Sequence, residues 1–281
     1  MREFRSLVLW AACGLLAGLA AGVEAPRAEG KGVEGDVNVL SMEVVALQTL
    51  HQLQATPAQL AELKRLAATT AEKIGPRRQV EVSDKFHKLL VRLRDALVEG
   101  KDERIDEVSR ALDELRKKDD PDLDDVTEIS DAARREAPAL LRRFSARQAA
   151  GFLADYAADF PDPVEMLTGA FAEVRKLTGR EWGGLRDDVA EQVGWLVAGL
   201  DEDAAERARE QAAAIITRAR QLKEGEYKKQ RPELEKAARE LAGKVGPTDV
   251  HRHFLEHALA ELLSNPRLAA AVEARLKRQK E

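Results

Sequence analysis

The 281-residue chain has a single cysteine, Cys13, and it lies in an N-terminal segment expected to be removed. The mature chain is then free of thiols, which excludes disulfides and thiolate chemistry. Aromatic residues make up only 4%. No run of alternating β-branched residues is long enough for a strand, so no sheet is expected. Charge of one sign is also lacking: 45 Lys and Arg stand against 50 Asp and Glu, for a formal net charge of -5. A nucleic-acid binder shows a basic face or a high isoelectric point, so nucleic acid is excluded as a partner. A dedicated binder of anionic lipid is excluded on the same ground. There is no G-x-S-x-G, no phosphate-binding glycine loop and no dinucleotide fingerprint, and neither catalysis nor a cofactor is expected.

What is present begins with a basic start, Arg2 and Arg5, followed by the uncharged run Leu7–Val23 and a polar, glycine-rich stretch to Asp36. This reads as a secretory signal over residues 1–25 and a flexible lead-in over 26–37. Cleavage is expected between Ala20 and Ala25, and Pro26 disfavours the bond after Ala25. The alternative is an uncleaved anchor, for which the run is short. Trp10-Ala11-Ala12 is a poor lipobox, so Cys13 reads as a small apolar residue of the signal. The mature chain is expected in the periplasm or outside the cell, with no membrane insertion after signal removal.

Leu, Ala, Glu, Arg and Lys dominate the rest, and all favour helices. Apolar residues recur every three to four positions almost to the C-terminus. Leu40, Val44, Leu47 and Leu50 form one such stripe. Leu60, Leu63 and Leu66 form a second, and Phe86, Leu89, Leu90, Leu93 and Leu97 a third. Gly75-Pro76, the acidic stretch Asp119–Asp125 and Pro161-Asp162-Pro163 punctuate the pattern. The acidic stretch lacks the central Gly and closing Glu of a calcium loop and reads as a solvated turn. The expected fold is all-α, an array or bundle of about eleven helices with short loops. Near Pro161–Pro163 it divides into sub-bundles 38–160 and 161–281, or forms one continuous domain. One helix is expected to start at Arg231-Pro232, because proline suits the first helical position.

Two helix starts share a pattern. Ala55-Thr56-Pro57-Ala58-Gln59 leads into Leu60, and Phe144-Ser145-Ala146-Arg147-Gln148 repeats it about ninety residues later. In physical terms each is a capping box, in which a Thr or Ser hydroxyl accepts from the amide three residues on and a Gln side chain reaches back. Similar starts occur at Thr178–Glu181 and Asp162–Glu165. The pair Thr56, Gln59 and Ser145, Gln148 also resembles the paired LTxxQ motif of the Spy and CpxP type of periplasmic helical proteins, over residues 41–160 at most. The leading Leu of that motif is Ala55 in one copy and Phe144 in the other, and Ser145 replaces Thr. The resemblance implies a helical, non-enzymatic protein of the envelope, acting as ATP-independent chaperone, stress adaptor or metal sensor on protein clients.

Three of the five histidines lie in Asp249–His257, and His253–His257 fits H-x-x-E-H. His253 and His257 are one helical turn apart, and Glu256 lies beside them, so the three form a candidate metal site. Only Glu261 and Glu273 remain downstream as further ligands, which does not suit a metallopeptidase. The apolar positions Val250, Phe254, Leu255, Ala258, Leu259 and Leu262 centre the buried face near His251, pointing His253 toward solvent. Gly183-Gly184, Gly194 and Gly199, beside Trp182 and Trp195, are expected to allow close helix contact. The leading functional expectation is an exported, non-enzymatic helical interaction protein, adaptor or chaperone-like. The alternatives are an envelope metal sensor or buffer using His253 and His257, and a structural helical scaffold.

Overall fold

A computed structural model describes residues 36–71, 82–119, 129–154 and 162–278. The signal segment, most of the lead-in, the acidic turn at 120–125 and Pro161 lie outside these residues. Among the described residues the chain is all-α, with twelve helices and no strand.

Two compact units are present, and they do not follow chain order. The first comprises residues up to Phe152 together with Ala258 onward; the second is Leu153–His257. Unit 1 contains α1 (Val37–Gln52), α2 (Pro57–Thr70), α3 (Asp84–Glu99), α4 (Asp102–Asp119), α5 (Asp131–Leu141) and all but the last two residues of α6 (Ala146–Ala154). Unit 2 contains α7 (Pro163–Val174), α8 (Gly179–Ala198), α9 (Glu202–Gln221) and α10 (Glu224–Ala242). Helix α11 (Pro247–Ser264) starts in unit 2, and its last residues, with α12 (Leu268–Arg278), belong to unit 1. The division expected at Pro161–Pro163 is therefore displaced, and 161–281 is not one body. A linear reading assumes that sequence neighbours pack together. The apolar stripe of α12, Leu268, Ala271 and Val272, is buried against α1, α2 and α3 instead.

Helix α1 explains unit 1. Val37, Val39, Leu40, Met42, Val44, Ala46, Leu47 and Leu50 are all buried, leaving no wide polar face. A helix apolar on most sides belongs inside a bundle, and α3 and α12 pack against it. Each fully buried Leu contributes about 1.5–3 kcal/mol relative to exposure. Polar side chains fasten the returning C-terminus. Asn265 donates to the Met42 carbonyl at 2.9 Å, Thr70 to the Leu263 carbonyl at 2.8 Å, and Arg267 to Glu43 at 2.6 Å. The Ser264 hydroxyl accepts from the Ser130 amide at 2.9 Å, and the Ser130 hydroxyl donates to the Thr70 carbonyl at 2.7 Å.

Unit 2 has its own core, built from Leu167, Phe171 and Val174 of α7, Val193 of α8, Ile216 of α9 and Leu234 of α10. Two arginines link helix ends. Arg175, at the end of α7, donates to the carbonyls of Ala219 and Leu222 at 2.9 and 2.6 Å. Arg220, near the end of α9, donates to the Val174 carbonyl in return. Each places a cation at the negative end of a helix dipole and satisfies carbonyls left over there. Helix α10 starts at Glu224 and runs through Pro232, not from it. Proline removes one backbone hydrogen bond, but its φ suits a helix. The buried stripe Leu234, Ala238 and Ala242 holds the helix in line. Asp162 caps α7 through the amides of Val164 and Glu165 as expected, whereas Thr178 makes no side-chain cap at α8.

The four glycines expected to allow close helix contact divide in two. A Cβ on Gly194 would lie 2.7 Å from the Ala205 carbonyl oxygen and 3.3 Å from Arg209 Cβ, so the α8–α9 crossing depends on its absence. Gly199 meets the ring of His253. Gly183 and Gly184 face open space, contrary to the expectation that they serve close contact. Gly194→Val is expected to destabilise unit 2 by about 2–3 kcal/mol through overpacking. Gly183→Ala in the same helix should stabilise it by up to about 1 kcal/mol through helix propensity. Urea unfolding followed by tryptophan fluorescence measures both.

Candidate functional site

The two Thr/Ser-x-x-Gln starts meet in space. Thr56 caps α2 and Ser145 caps α6; both residues belong to unit 1. At the first, the Gln59 amide donates to the Thr56 hydroxyl at 3.3 Å and the Thr56 amide donates to Gln59 Oε1 at 2.8 Å. At the second, the Gln148 amide donates to the Ser145 hydroxyl at 3.2 Å and the Ser145 amide donates to Gln148 Oε1 at 3.0 Å. Both capping boxes are thus complete, and each uses only the oxygen of its glutamine.

The amide nitrogens cross to the other corner. Gln59 Nε2 donates to the Arg143 carbonyl at 2.9 Å, at the end of the α5 corner. Gln148 Nε2 faces the carbonyls of Leu53 and Gln54 at 3.2 and 3.1 Å, at the end of the α1 corner. The two side chains also pair with each other, Nε2 of Gln59 to Oε1 of Gln148 at 3.2 Å and Nε2 of Gln148 to Oε1 of Gln59 at 2.9 Å. Two helix-turn-helix corners 89 residues apart are joined by a reciprocal amide pair. Glutamine is the residue that can do this: glutamate would cap each helix but could not donate, and two glutamates here would repel.

The surroundings are charged and solvent-facing. Glu62 bonds Arg65 at 2.9 Å and approaches Arg143 at 3.2 Å. The Arg65 hydrogen bond, with the charge of Arg143 adding, holds the Glu62 carboxyl below its usual range despite some desolvation. Gln54 and Arg143 carry no signal in the sequence pattern. Gln54 has φ 48°, a left-handed conformation unusual for a side-chain-bearing residue. Its carbonyl faces Gln148 Nε2. Apolar periodicity does not mark backbone acceptors at a helix end. What this corner does chemically is couple two turns.

The histidine cluster is arranged differently from its sequence reading. His253, expected in solvent, is 9% exposed. Its Nδ1 donates to the Leu196 carbonyl at 2.8 Å, and its Nε2 lies 3.3 Å from Arg252 Nη2, which donates to it. The ring lies against Gly199, the glycine after α8. The apolar pattern of α11 could not reveal this, because what accommodates the ring is a glycine at the end of another helix. His257 is half-buried and stacks on Trp195, with centroids 5.7 Å apart. His251 and Glu256 are also half-buried. Among the described residues no group of three or more His, Cys, Asp or Glu is placed to hold a metal ion. No described helix is long and apolar enough to cross a membrane.

Comparison with protein-family models, with curated proteins and with solved structures finds no match to this chain.

Proposed function

We propose that this chain is an exported, non-enzymatic helical protein of the cell envelope, an adaptor or chaperone-like binder of protein clients. The observation that carries the reading is the reciprocal Gln59–Gln148 pair. The two motifs bond to one another as well as capping their own helices, which supports reading them as a pair. The basic start and apolar run of residues 2–23 support export. The nearly balanced charge supports proteins, not nucleic acid, as partners. The metal-sensor alternative draws no support from His253, both of whose ring nitrogens face protein groups.

The test is client protection. The mature chain, at several-fold excess over a chemically unfolded protein, is expected to suppress the rise in light scattering on dilution of denaturant. Scattering unchanged at that excess would remove the chaperone-like reading. Fractionation with mass spectrometry of the N-terminus tests export: a start between residues 21 and 26 is expected, and an intact Met1 in the cytosol contradicts it.

A further inference from the structure

Arg275 lies on α12, one turn beyond the buried pair Ala271 and Val272, where an apolar residue would extend the stripe. It is half-buried. Its guanidinium reaches the end of α3, where Nη2 lies 3.9 Å from the point that a Cβ on Gly100 would occupy. Among the described residues Arg275 makes no hydrogen bond or ion pair. Nη1 is closed off from solvent, and it is the only one of the three nitrogens enclosed in this way. The Nε–Nη2 edge, beside the exposed Gly100, is therefore open and carries two parallel N–H donors. The carboxylates at this end of unit 1 are engaged elsewhere. Glu99 meets Lys101 at 2.8 Å and Arg104 at 3.5 Å, Asp102 meets His51 Nε2 at 3.2 Å, and Glu273 meets Lys64 at 2.8 Å. The Ala96 and Leu97 carbonyls accept from the Gly100 amide. The negative end of the α3 dipole favours a cation here but fills none of its donor positions. Burial holds the guanidinium below its usual pKa. A partly desolvated charge with no partner is unfavourable, so arginine at this position gives up stability that Leu or Met would supply.

We propose that the open edge of Arg275 binds a carboxylate, at a site on unit 1 formed by α12 and the turn after α3. Two parallel N–H donors match the two oxygens of a carboxylate, and the bound group supplies the counter-charge that Arg275 lacks. Gly100 keeps the approach clear. A side chain there would begin 3.9 Å from Nη2 and cover the edge. One unshared guanidinium matches one negative charge, and Asp102 and Glu103 in the first turn of α4 disfavour a dianion such as phosphate. A free organic acid and a peptide C-terminus offer the same group. The site goes beyond client protection and stands independently of it.

The mature chain, isotopically labelled at the nitrogens of arginine and glycine, tests this by NMR. The reporters are the Nε–Hε signal of Arg275, identified by its loss in Arg275→Lys, and the amide of Gly100. Sodium acetate, with ionic strength held constant by chloride, is expected to shift both signals saturably. A short peptide with a free C-terminus should do the same, and its amidated form should not. Tighter binding of the peptide than of acetate assigns the site to peptides; otherwise it takes small acids. Arg275→Lys keeps the charge but loses the parallel donors. Read at the Gly100 amide, it should weaken acetate binding by about tenfold or more, with the helical circular dichroism of the parent retained. The parent titration needs no variant: signals that do not saturate with acetate, or that chloride moves equally, overturn the proposal. So does an acetate affinity unchanged in Arg275→Lys, or an amidated peptide as effective as the free one. Inorganic phosphate binding more tightly than acetate overturns the choice of a carboxylate.

Discussion

Gly199→Ala is expected to destabilise unit 2 by about 3 kcal/mol, from backbone strain and overpacking together. Gly199 ends α8 with φ 62° and ψ −130°, a conformation that glycine alone adopts without strain. Its amide donates to the Trp195 carbonyl at 2.7 Å, so the conformation is tied to the helix end. A Cβ there would stand 2.8 Å from Cδ2 and 3.0 Å from Cγ of His253. That ring has little freedom to retreat while Nδ1 is bonded to the Leu196 carbonyl. Gly243 is the internal control. It ends α10 with φ 62° and ψ −124°, and a Cβ added to it would meet nothing closer than 4.0 Å. Gly243→Ala therefore meets the strain without the clash, and should cost about 1–2 kcal/mol. Urea unfolding read by tryptophan fluorescence compares the two. Equal losses would mean that the His253 ring yields freely and that the contact is not a constraint.

Gln59→Ala and Gln148→Ala are each expected to cost about 2 kcal/mol, and the double substitution about 3. Each single change removes the returning half of a capping box and the donors to the opposite corner. Partial exposure lets water replace some of these bonds, which keeps the figure below the sum of its parts. The shortfall of about 1 kcal/mol in the double variant is the signature of the amide pair itself, which either single change already breaks. Gln148→Glu separates the roles: the carboxylate still accepts from the Ser145 amide but has nothing to donate to Leu53, Gln54 or Gln59. It should lose most of what Gln148→Ala loses. Circular dichroism is the suitable probe, since the described residues of unit 1 hold no tryptophan. Strict additivity, or a Gln148→Glu chain as stable as the parent, would reduce the two motifs to independent helix caps.

These two cases divide between what is legible in the chain and what is not. The helices are legible because burial against any neighbour demands an apolar stripe at helical spacing, whichever neighbour it is. Leu60, Leu63 and Leu66 announce α2, and Phe86, Leu89, Leu90 and Leu93 announce α3, without reference to a partner. The caps at Thr56 and Ser145 are legible for the same reason, since the atoms involved lie within one helical turn. Gly194 and Gly199 can be suspected of close contact because a glycine inside a helical pattern weakens the helix and needs a compensating use.

Partnership across the fold is not legible. Nothing in either five-residue motif states that Gln59 and Gln148 touch, because that depends on how α1, α2, α5 and α6 turn relative to one another. The burial of His253 depends on Gly199 standing opposite it, and a missing side chain leaves no periodic mark. The return of α12 to α1, α2 and α3 reverses the assumption that chain neighbours share a core. Local chemistry, the spacing of apolar residues and the reach of one side chain to its own backbone, was determined by the sequence alone. Which helix faces which was decided by tertiary packing, where the shape of every surface is set by residues far away in the chain.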